Sequence, residues 1–375
     1  MIAAPFLLAG RLCTAAILWQ EAGIDSAATF APPPPDEHFA ARALEPYADL
    51  RSWIERVENR PGFSEDLQRT RATLRAGLRF RPMASPAEAI AGLRASLGSD
   101  RNAEARAAFD NEAPDTLEAD ELAGRLRSSG GDAISLGKLR SPLALTEMVW
   151  DADLRPVGAT AGISLDRIGV IGARLAGGWL QRADWSGDAW MAAGQASISR
   201  DFGEATRTEV VGSYLEFGNL DELPSQGFAR QNTTVLGPEG RRYAVDFRVL
   251  DFQAAVTSRW ASLPISMRVD VARNLAADEH HDAIRTRLAL GGIDMLGGFE
   301  IGWIYQRIER DAVCAAFNSD DWWFHSRTRG HLGWLAIGAG RTFGLRLTAT
   351  AEQRDDLTTE VYRYRAEFLA RAISR

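Results

Sequence analysis

The sequence predicts an all-β chain folded as a closed antiparallel transmembrane β-barrel of about sixteen strands. Three observations carry that prediction. Segments of about ten residues alternate apolar and polar side chains with period two, as a strand with one greasy and one wet face requires. Full charges recur in the middle of the polar set, as at Arg75, Arg94, Arg259, Arg268, Arg285, Arg287 and Arg346; a hydrated lumen tolerates these and a dry sandwich core does not. Connections alternate in length. Pro82–Pro86, Ser128–Asp132, Leu165–Gly169, Ala261–Pro264 and Gly340–Thr342 are short, whereas Gly98–Thr116, Ser141–Val157, Leu220–Tyr243 and Arg310–Arg329 are long. Membrane barrels have short turns at one end and long loops at the other.

Composition removes the competing classes. The 375 residues are 25% charged and 46% hydrophobic with a net charge of −7, which speaks against a nucleic-acid partner. Two cysteines, Cys13 and Cys314, exclude a disulfide scaffold and a zinc cluster. With 11 Trp, 16 Phe and 6 Tyr the chain is too rich in large aromatics to stay unfolded. Beyond the extreme N-terminus no uncharged apolar run reaches about 18 residues, so helical membrane spans are excluded.

Along the chain, residues 1–31 are expected to be an export signal or a disordered tail. Ala3 to Trp19 is apolar apart from Arg11, and Ser26 and Ala28 offer a cleavage site. Residues 32–45, opening on Pro32 to Pro35, read as a stiff linker, and 46–375 as the barrel domain. The segment 47–57 fits an amphipathic helix and a first strand equally well.

From Thr70 to Phe80 the even positions carry Thr, Ala, Leu, Ala, Leu and Phe, and the odd positions carry Arg71, Thr73, Arg75, Gly77 and Arg79. A strand puts these sets on opposite faces, whereas a helix would scatter the arginines around its cylinder. The same arithmetic places Ile265, Met267, Val269 and Val271 opposite Ser266, Arg268 and Asp270. It places Phe299, Ile301, Trp303 and Tyr305 opposite Glu300, Gly302 and Gln306. Phe343 to Glu352 and Tyr362 to Phe368 repeat the pattern, and weaker alternation marks segments near 88–97, 118–127, 132–139, 157–165, 168–180, 189–199, 205–216, 246–259, 281–290 and 329–340.

The stretch GKLRSPLALTEMVWDADLRPVG, Gly137 to Gly158, resembles a segment of a porin family of Gram-negative outer membranes. There a strand ending in a G-K-x-x-x-P-F-like turn leads into a D-L-V-W-D-x-D-L-like loop; Glu147-Met148 stands here in place of the first Asp-Leu. YAVDFRVLDF (Tyr243 to Phe252) and YQRIERDAVCAAFNSDD (Tyr305 to Asp321) are also similar, and the resemblance spans roughly 45–370. It implies an outer-membrane channel for passive diffusion of small hydrophilic solutes or ions, surrounded by outer-membrane lipid and compatible with a homotrimer.

In general porins the third external loop folds inward, and residues 141–156 occupy that place between the fifth and sixth strands. The resemblance therefore assigns the constriction to Glu147, Trp150, Asp151 and Asp153. Opposing bases would come from the lumen face, at Arg71, Arg75, Arg79 and Arg94 together with Arg268 and Arg346. Facing rings of opposite charge set a transverse field and tune ion selectivity. On the strands, lumen bases outnumber the acids Asp251, Asp270, Glu300, Glu352 and Glu367, which predicts a mild preference for anions. The excess acid is then expected on loops such as Asp110–Glu121 and Asp311–Asp321.

Other groups carry less. Trp322-Trp323-Phe324 fits loop packing or interface aromatics better than a sugar-stacking platform. His280-His281 has no third ligand nearby, Asn232-Thr233-Thr234 matches a glycosylation pattern by chance, and Cys314 reads as an inert thiol. No G-x-S-x-G elbow, phosphate loop or H-E-x-x-H occurs, so no enzyme, cofactor or metal site is expected. Two other readings remain: a non-conducting barrel for adhesion or scaffolding, and a soluble β-rich binding protein.

Overall fold

The computed structural model describes residues 44–82, 85–99, 115–128, 133–166, 170–180, 188–203, 205–260, 263–293, 296–340 and 342–373. The expected export signal, Cys13 and the proline run lie outside them. In chain order the strands begin with β1 (Leu44–Glu58), β2 (Leu67–Phe80), β3 (Ala87–Gly98), β4 (Thr116–Arg127) and β5 (Ala133–Lys138). β6 (Val157–Asp166), β7 (Val170–Trp179), β8 (Trp190–Phe202) and β9 (Thr206–Gly218) follow. β10 (Thr234–Gly237) and β11 (Gly240–Tyr243) form a separate hairpin inside a long connection. β12 (Arg248–Trp260), β13 (Leu263–Asn274), β14 (Asp282–Gly291), β15 (Leu296–Ile308), β16 (Thr328–Ala339), β17 (Phe343–Arg354) and β18 (Val361–Ile373) complete the chain.

Among the described residues sixteen strands close into one barrel, each antiparallel to its sequence neighbour, with β9 paired to β12 past the hairpin. The sixteen alternating segments of the sequence are these strands. The segment 47–57 is a strand, and it closes the barrel by pairing with β18 (Trp53 opposite Glu367). Closure leaves no strand edge with unpaired backbone groups, the condition for crossing hydrocarbon. No described helix is long and apolar enough to cross a membrane.

Period two sorts the side chains as the sequence requires. On the outer wall Leu74, Leu78, Ile301 and Leu347 are 45–51% exposed, while their neighbours Arg71, Arg75, Glu300 and Arg346 turn inward and are buried. One bulge breaks the period. Between Gly92/Leu93 of β3 and Glu121/Ala119 of β4 the register skips Asp120, so both Asp120 and Glu121 face the lumen.

The apolar core does not lie between layers. It fills the long-loop end, built from three connections: 139–156 (L3), 219–247 (L5) and 309–327 (L7). Met148, Val149 and Trp150 of L3, Phe228 and Phe247 of L5, and Val313 and Phe317 of L7 pack together against Leu215 and Phe217 of β9. Burying each such side chain contributes about 1.5–3 kcal/mol, enough to hold loops inside a barrel mouth. A second cluster fixes the far end of L7, where Trp323 and Phe324 meet Val57 of β1 and Val361 of β18.

Candidate functional site: the lumen and its inward loops

L3 enters the lumen because its polar groups find partners on inward-facing strand positions. The Ala144 carbonyl accepts from Gln195 Nε2 of β8 (3.2 Å) and Gln253 Nε2 of β12 (2.8 Å), and the Ala144 N–H donates to Gln195 Oε1 (2.9 Å). The Thr146 hydroxyl donates to Asp270 of β13. Glu147 Oε2 lies 3.4 Å from Arg285 Nη2 of β14. On the opposite wall Asp153 Oδ1 accepts from Arg75 Nη2 of β2 at 2.7 Å. The loop therefore reaches from β8–β14 across to β2.

The four L3 residues singled out by sequence separate into different tasks. Asp153 meets Arg75, and Glu147 lies against Arg285 and lines a cavity shared with Arg346. Asp151 is buried and holds the loop's own shape, its Oδ1 accepting the Asp153 N–H at 2.8 Å. Trp150 is buried in the apolar cluster, 6.4 Å from the Phe317 ring. An aromatic inside an inward loop has apolar neighbours to satisfy before it can line a channel.

The six expected lumen arginines all lie on the inner face, with varied surroundings. Arg75 is a hub, with Nε 3.6 Å from Asp120 and Nη1 3.9 Å from Asp49 besides its Asp153 bond. Arg94 lies 3.6 Å from Glu118, and Arg71 packs 5.6 Å from the Trp53 ring. Arg79 sits over Tyr47 at 5.1 Å. The Tyr47 ring lies flat across Gly77 and Gly92, where any Cβ would collide with it, and its hydroxyl donates to Glu121 at 3.2 Å. Arg346 is 3.7 Å from Glu300 and 5.6 Å from the Trp334 ring, and Arg268 is half-buried opposite Arg287. The expected gathering of excess acid on Asp110–Glu121 is corrected in its second half: Glu118, Asp120 and Glu121 belong to β4 and point into the lumen, while 110–114 lie outside the described residues. A bulge is invisible to a period-two reading.

Sequence reasoning missed a second inward segment. L7 pairs with L3 through its backbone, Asp151 N–H to the Phe317 carbonyl at 2.7 Å and Ser319 N–H to the Glu147 carbonyl at 3.0 Å. Its tip is caught by Glu352 of β17, whose two oxygens accept the N–H groups of Trp323 (2.7 Å) and Phe324 (3.0 Å). Asp321 Oδ1 accepts from Arg365 Nη1 at 2.7 Å. Burial would raise the Asp321 carboxyl, but Arg365 and Arg51 beside it hold it below the usual carboxylate range. The Trp-Trp-Phe run is thus loop packing, as the sequence favoured, and its aromatic density was the available signal.

Beneath L3 and L7 lies a small cavity of about 30 Å³ lined by Trp334, Ile304, Arg285, Arg346, Glu147 and Glu367. Beside it Glu55 is fully enclosed by three guanidiniums, those of Arg69 (2.7 Å), Arg363 (2.6 Å) and Arg365 (2.9 Å). Burial of a carboxylate demands such pairing.

The remaining groups lie in connections between the barrel strands. Asn232 ties L5 to L7, donating to the Val313 carbonyl (3.0 Å) and accepting the Ala315 N–H (2.9 Å). His280 and His281 lie in the turn before β14, and His281 Nδ1 is 2.8 Å from the Ala277 carbonyl. Cys314 is a free, buried thiol pushed up to about 12 by burial, so it stays protonated and unreactive. Arg140 in L3 is pushed down to about 10 by burial and by Arg155 and Arg75 nearby.

The geometry defines a class: a sixteen-stranded barrel with an apolar exterior, a charged interior and long loops folded into it. No protein-family model and no curated protein sequence matches the chain. Solved structures do match. Pseudomonas putida OprB superposes with a TM-score of 0.63 at 10% identity over 88% of this chain and 94% of that one. Salmonella typhi OmpF, solved with daunomycin, gives 0.53 at 10% identity over 88% and 97%. A mutant of the Rh. blastica porin gives 0.53 at 8% identity over 88% and 100%. The chain has the fold of the outer-membrane porins.

Proposed function

We propose that this protein is an outer-membrane channel for passive diffusion of small hydrophilic solutes or ions, its lumen narrowed by L3 with L7 beside it. One observation carries the reading: strand after strand turns arginines and carboxylates inward and apolar side chains outward. Such a wall is stable only with hydrocarbon outside and water inside. The porin fold and the bonds from L3 to both walls support it. In this reading Glu147, Asp151 and Asp153 bring the loop's acid, and Arg71, Arg75, Arg79 and Arg94 line the solute path along β2 and β3. Residues 1–31 direct export, the linker expected over 32–45 ends before Leu44, where β1 begins, and the rest forms one barrel domain in lipid, alone or as a homotrimer. No catalytic group, metal or cofactor is assigned.

The test is purified protein in a planar bilayer. Uniform conductance steps are expected, altered in size or selectivity by E147Q/D151N/D153N. Folded, membrane-inserted protein that passes no current would sink the channel and leave a non-conducting barrel for adhesion or scaffolding. Protein that stays in the aqueous fraction would sink both.

A further inference from the structure

The inner wall is basic where β2, β3 and β4 reach the short-turn mouth of the lumen. Arg79 of β2, Arg81 just past its end, and Arg125 and Arg127 of β4 gather there. One carboxylate, Glu88 of β3, lies among them, 3.4 Å from Arg81 Nη2, 3.6 Å from Arg125 Nη1 and 3.1 Å from Arg127 Nε. Glu45 of β1 stands across the ladder from Arg79 and offsets it. On the other side Arg125 and Arg127 face Ser135 and Ala133 of β5, which carry no charge. Among the described residues Arg81, Arg125 and Arg127 have no second carboxylate at ion-pair distance. Three guanidiniums thus share one carboxylate.

Exposure decides what this cluster presents. The Glu88 side chain is 1% exposed, whereas those of Arg81, Arg125 and Arg127 are 34%, 24% and 34% exposed. The negative group is hidden behind the positive ones, so a solute at the mouth meets guanidiniums. Each has five N–H donors. One nitrogen of each goes to Glu88, and Arg125 gives another to Ser135 Oγ (3.1 Å), which leaves donors for a ligand. Glu55, farther up the lumen, also meets three arginines, but that network is closed. Asp321 of L7 takes up Arg365 at 2.7 Å, and the three side chains, those of Arg69, Arg363 and Arg365, are at most 11% exposed.

We propose that the Glu88 cluster binds a doubly charged oxyanion of the phosphate type, held by Arg81, Arg125 and Arg127 where the lumen opens at the short-turn end. The site rests on the channel reading above and gives it a solute class. A dianion cancels the excess charge of the cluster, which a singly charged ion does not. Arginine forks match its oxygens two at a time. Arg125 and Arg127 stand two residues apart on one face, about 7 Å along the strand, close enough for both to reach one group. Partial exposure keeps water in competition, so the ion is held weakly enough to leave again.

Isothermal titration of the detergent-purified full chain with inorganic phosphate at about pH 8, where it is doubly charged, tests the site. Nitrate is the singly charged probe, and single-channel current in chloride is read alongside. One phosphate is expected to bind and to lower the chloride current, with nitrate about tenfold weaker. R125Q/R127Q should weaken phosphate about tenfold. R81Q, which lies beyond the end of β2 and leaves the ladder intact, should weaken it in the same direction. E88Q removes the group that competes for the same guanidiniums and should strengthen binding. Glycerol phosphate bound as well as inorganic phosphate extends the site to phosphorylated solutes; bound about tenfold less, it confines the site to the free ion. Heat-modifiable mobility identifies the folded barrel in every variant. Equal phosphate binding by wild type, R81Q and R125Q/R127Q overturns the proposal, as does nitrate binding as tightly as phosphate. Weaker binding by E88Q overturns it too, since Glu88 would then shape the wall without competing for a ligand. Chloride steps with no phosphate binding sink the site and keep the channel; a folded, inserted protein without steps sinks the channel reading itself.

Discussion

Asp153 and Arg75 are 78 residues apart and meet at 2.7 Å, joining the end of an inward loop to the middle of a barrel strand. The arginine is almost wholly buried, and the carboxylate it meets belongs to a loop whose anchors on the opposite wall lie on β8, β12, β13 and β14. This ion pair is therefore a tether on the far side of a strap, beside Arg155 of L3, which lies 3.6 Å from Asp120 of β4.

Replacing Asp153 by Asn is expected to loosen L3 without unfolding the barrel. Arg75 retains Asp120 and Asp49 within 4 Å, so no isolated buried charge results. The loss is that of one charge-assisted hydrogen bond, about 1.5–3 kcal/mol, felt by the loop and not by the strand ladder. Single-channel records should show larger current noise than wild type at an unchanged urea midpoint. A quiet channel with a lowered midpoint would contradict the tether.

Charge on the inner face sets a second expectation. Strand arginines outnumber strand carboxylates, though Asp49, Glu55, Glu88, Glu118, Asp120 and Glu121 narrow the difference more than the sequence suggested. A mild anion preference is expected in reversal potentials under a salt gradient. E147Q/D151N/D153N should increase it, since Arg75 and Arg285 then face the lumen less compensated. A clear cation preference in wild type would refute this assignment.

The barrel was legible because its rule is local. Arg71, Arg75 and Leu74 declare their faces within five residues, and closure follows from repeating that choice around the ring. The loop ends were legible by length alone. What escaped depends on contacts distant in sequence. That the Asp320 carbonyl and the Asp321 carboxylate accept from Arg363 and Arg365 follows from where β18 lies across the mouth, which no segment near 320 encodes. Asp120 escaped because a bulge shifts the face by one residue, and Trp150 because an aromatic in a loop can line water or pack against Phe317.

Acid provides a test of the second inward loop. The Asp321 carboxyl is held below its ordinary value by Arg365 and Arg51 against the opposing effect of burial. A carboxyl with a lowered folded value stabilises above the unfolded value and loses that contribution as pH falls through the folded one. The contribution of Asp321 to the docking of L7 should thus be full above about pH 5 and be lost below about pH 4. Pepsin cleavage within 310–327 should rise over that acid range, and D321N should be cleaved already at its upper end. Cleavage that is the same for wild type and D321N at every pH would remove Asp321 from the anchor.

The two faces of one strand allow the membrane claim to be tested by adjacent substitutions. In β8 Ala196 turns outward and is exposed, and Ser197 turns inward beside Gly172. Both lie near the strand midpoint, so they share depth, strand and neighbours in sequence. Arginine at 196 must hold a guanidinium in hydrocarbon, a loss of about 2–4 kcal/mol at the midplane. Arginine at 197 enters a hydrated lumen beside serines and should shift stability by less than about 1 kcal/mol. Urea unfolding of the barrel in vesicles, followed by heat-modifiable mobility, reads both variants on one scale. Equal destabilisation would mean that hydrocarbon does not surround this wall.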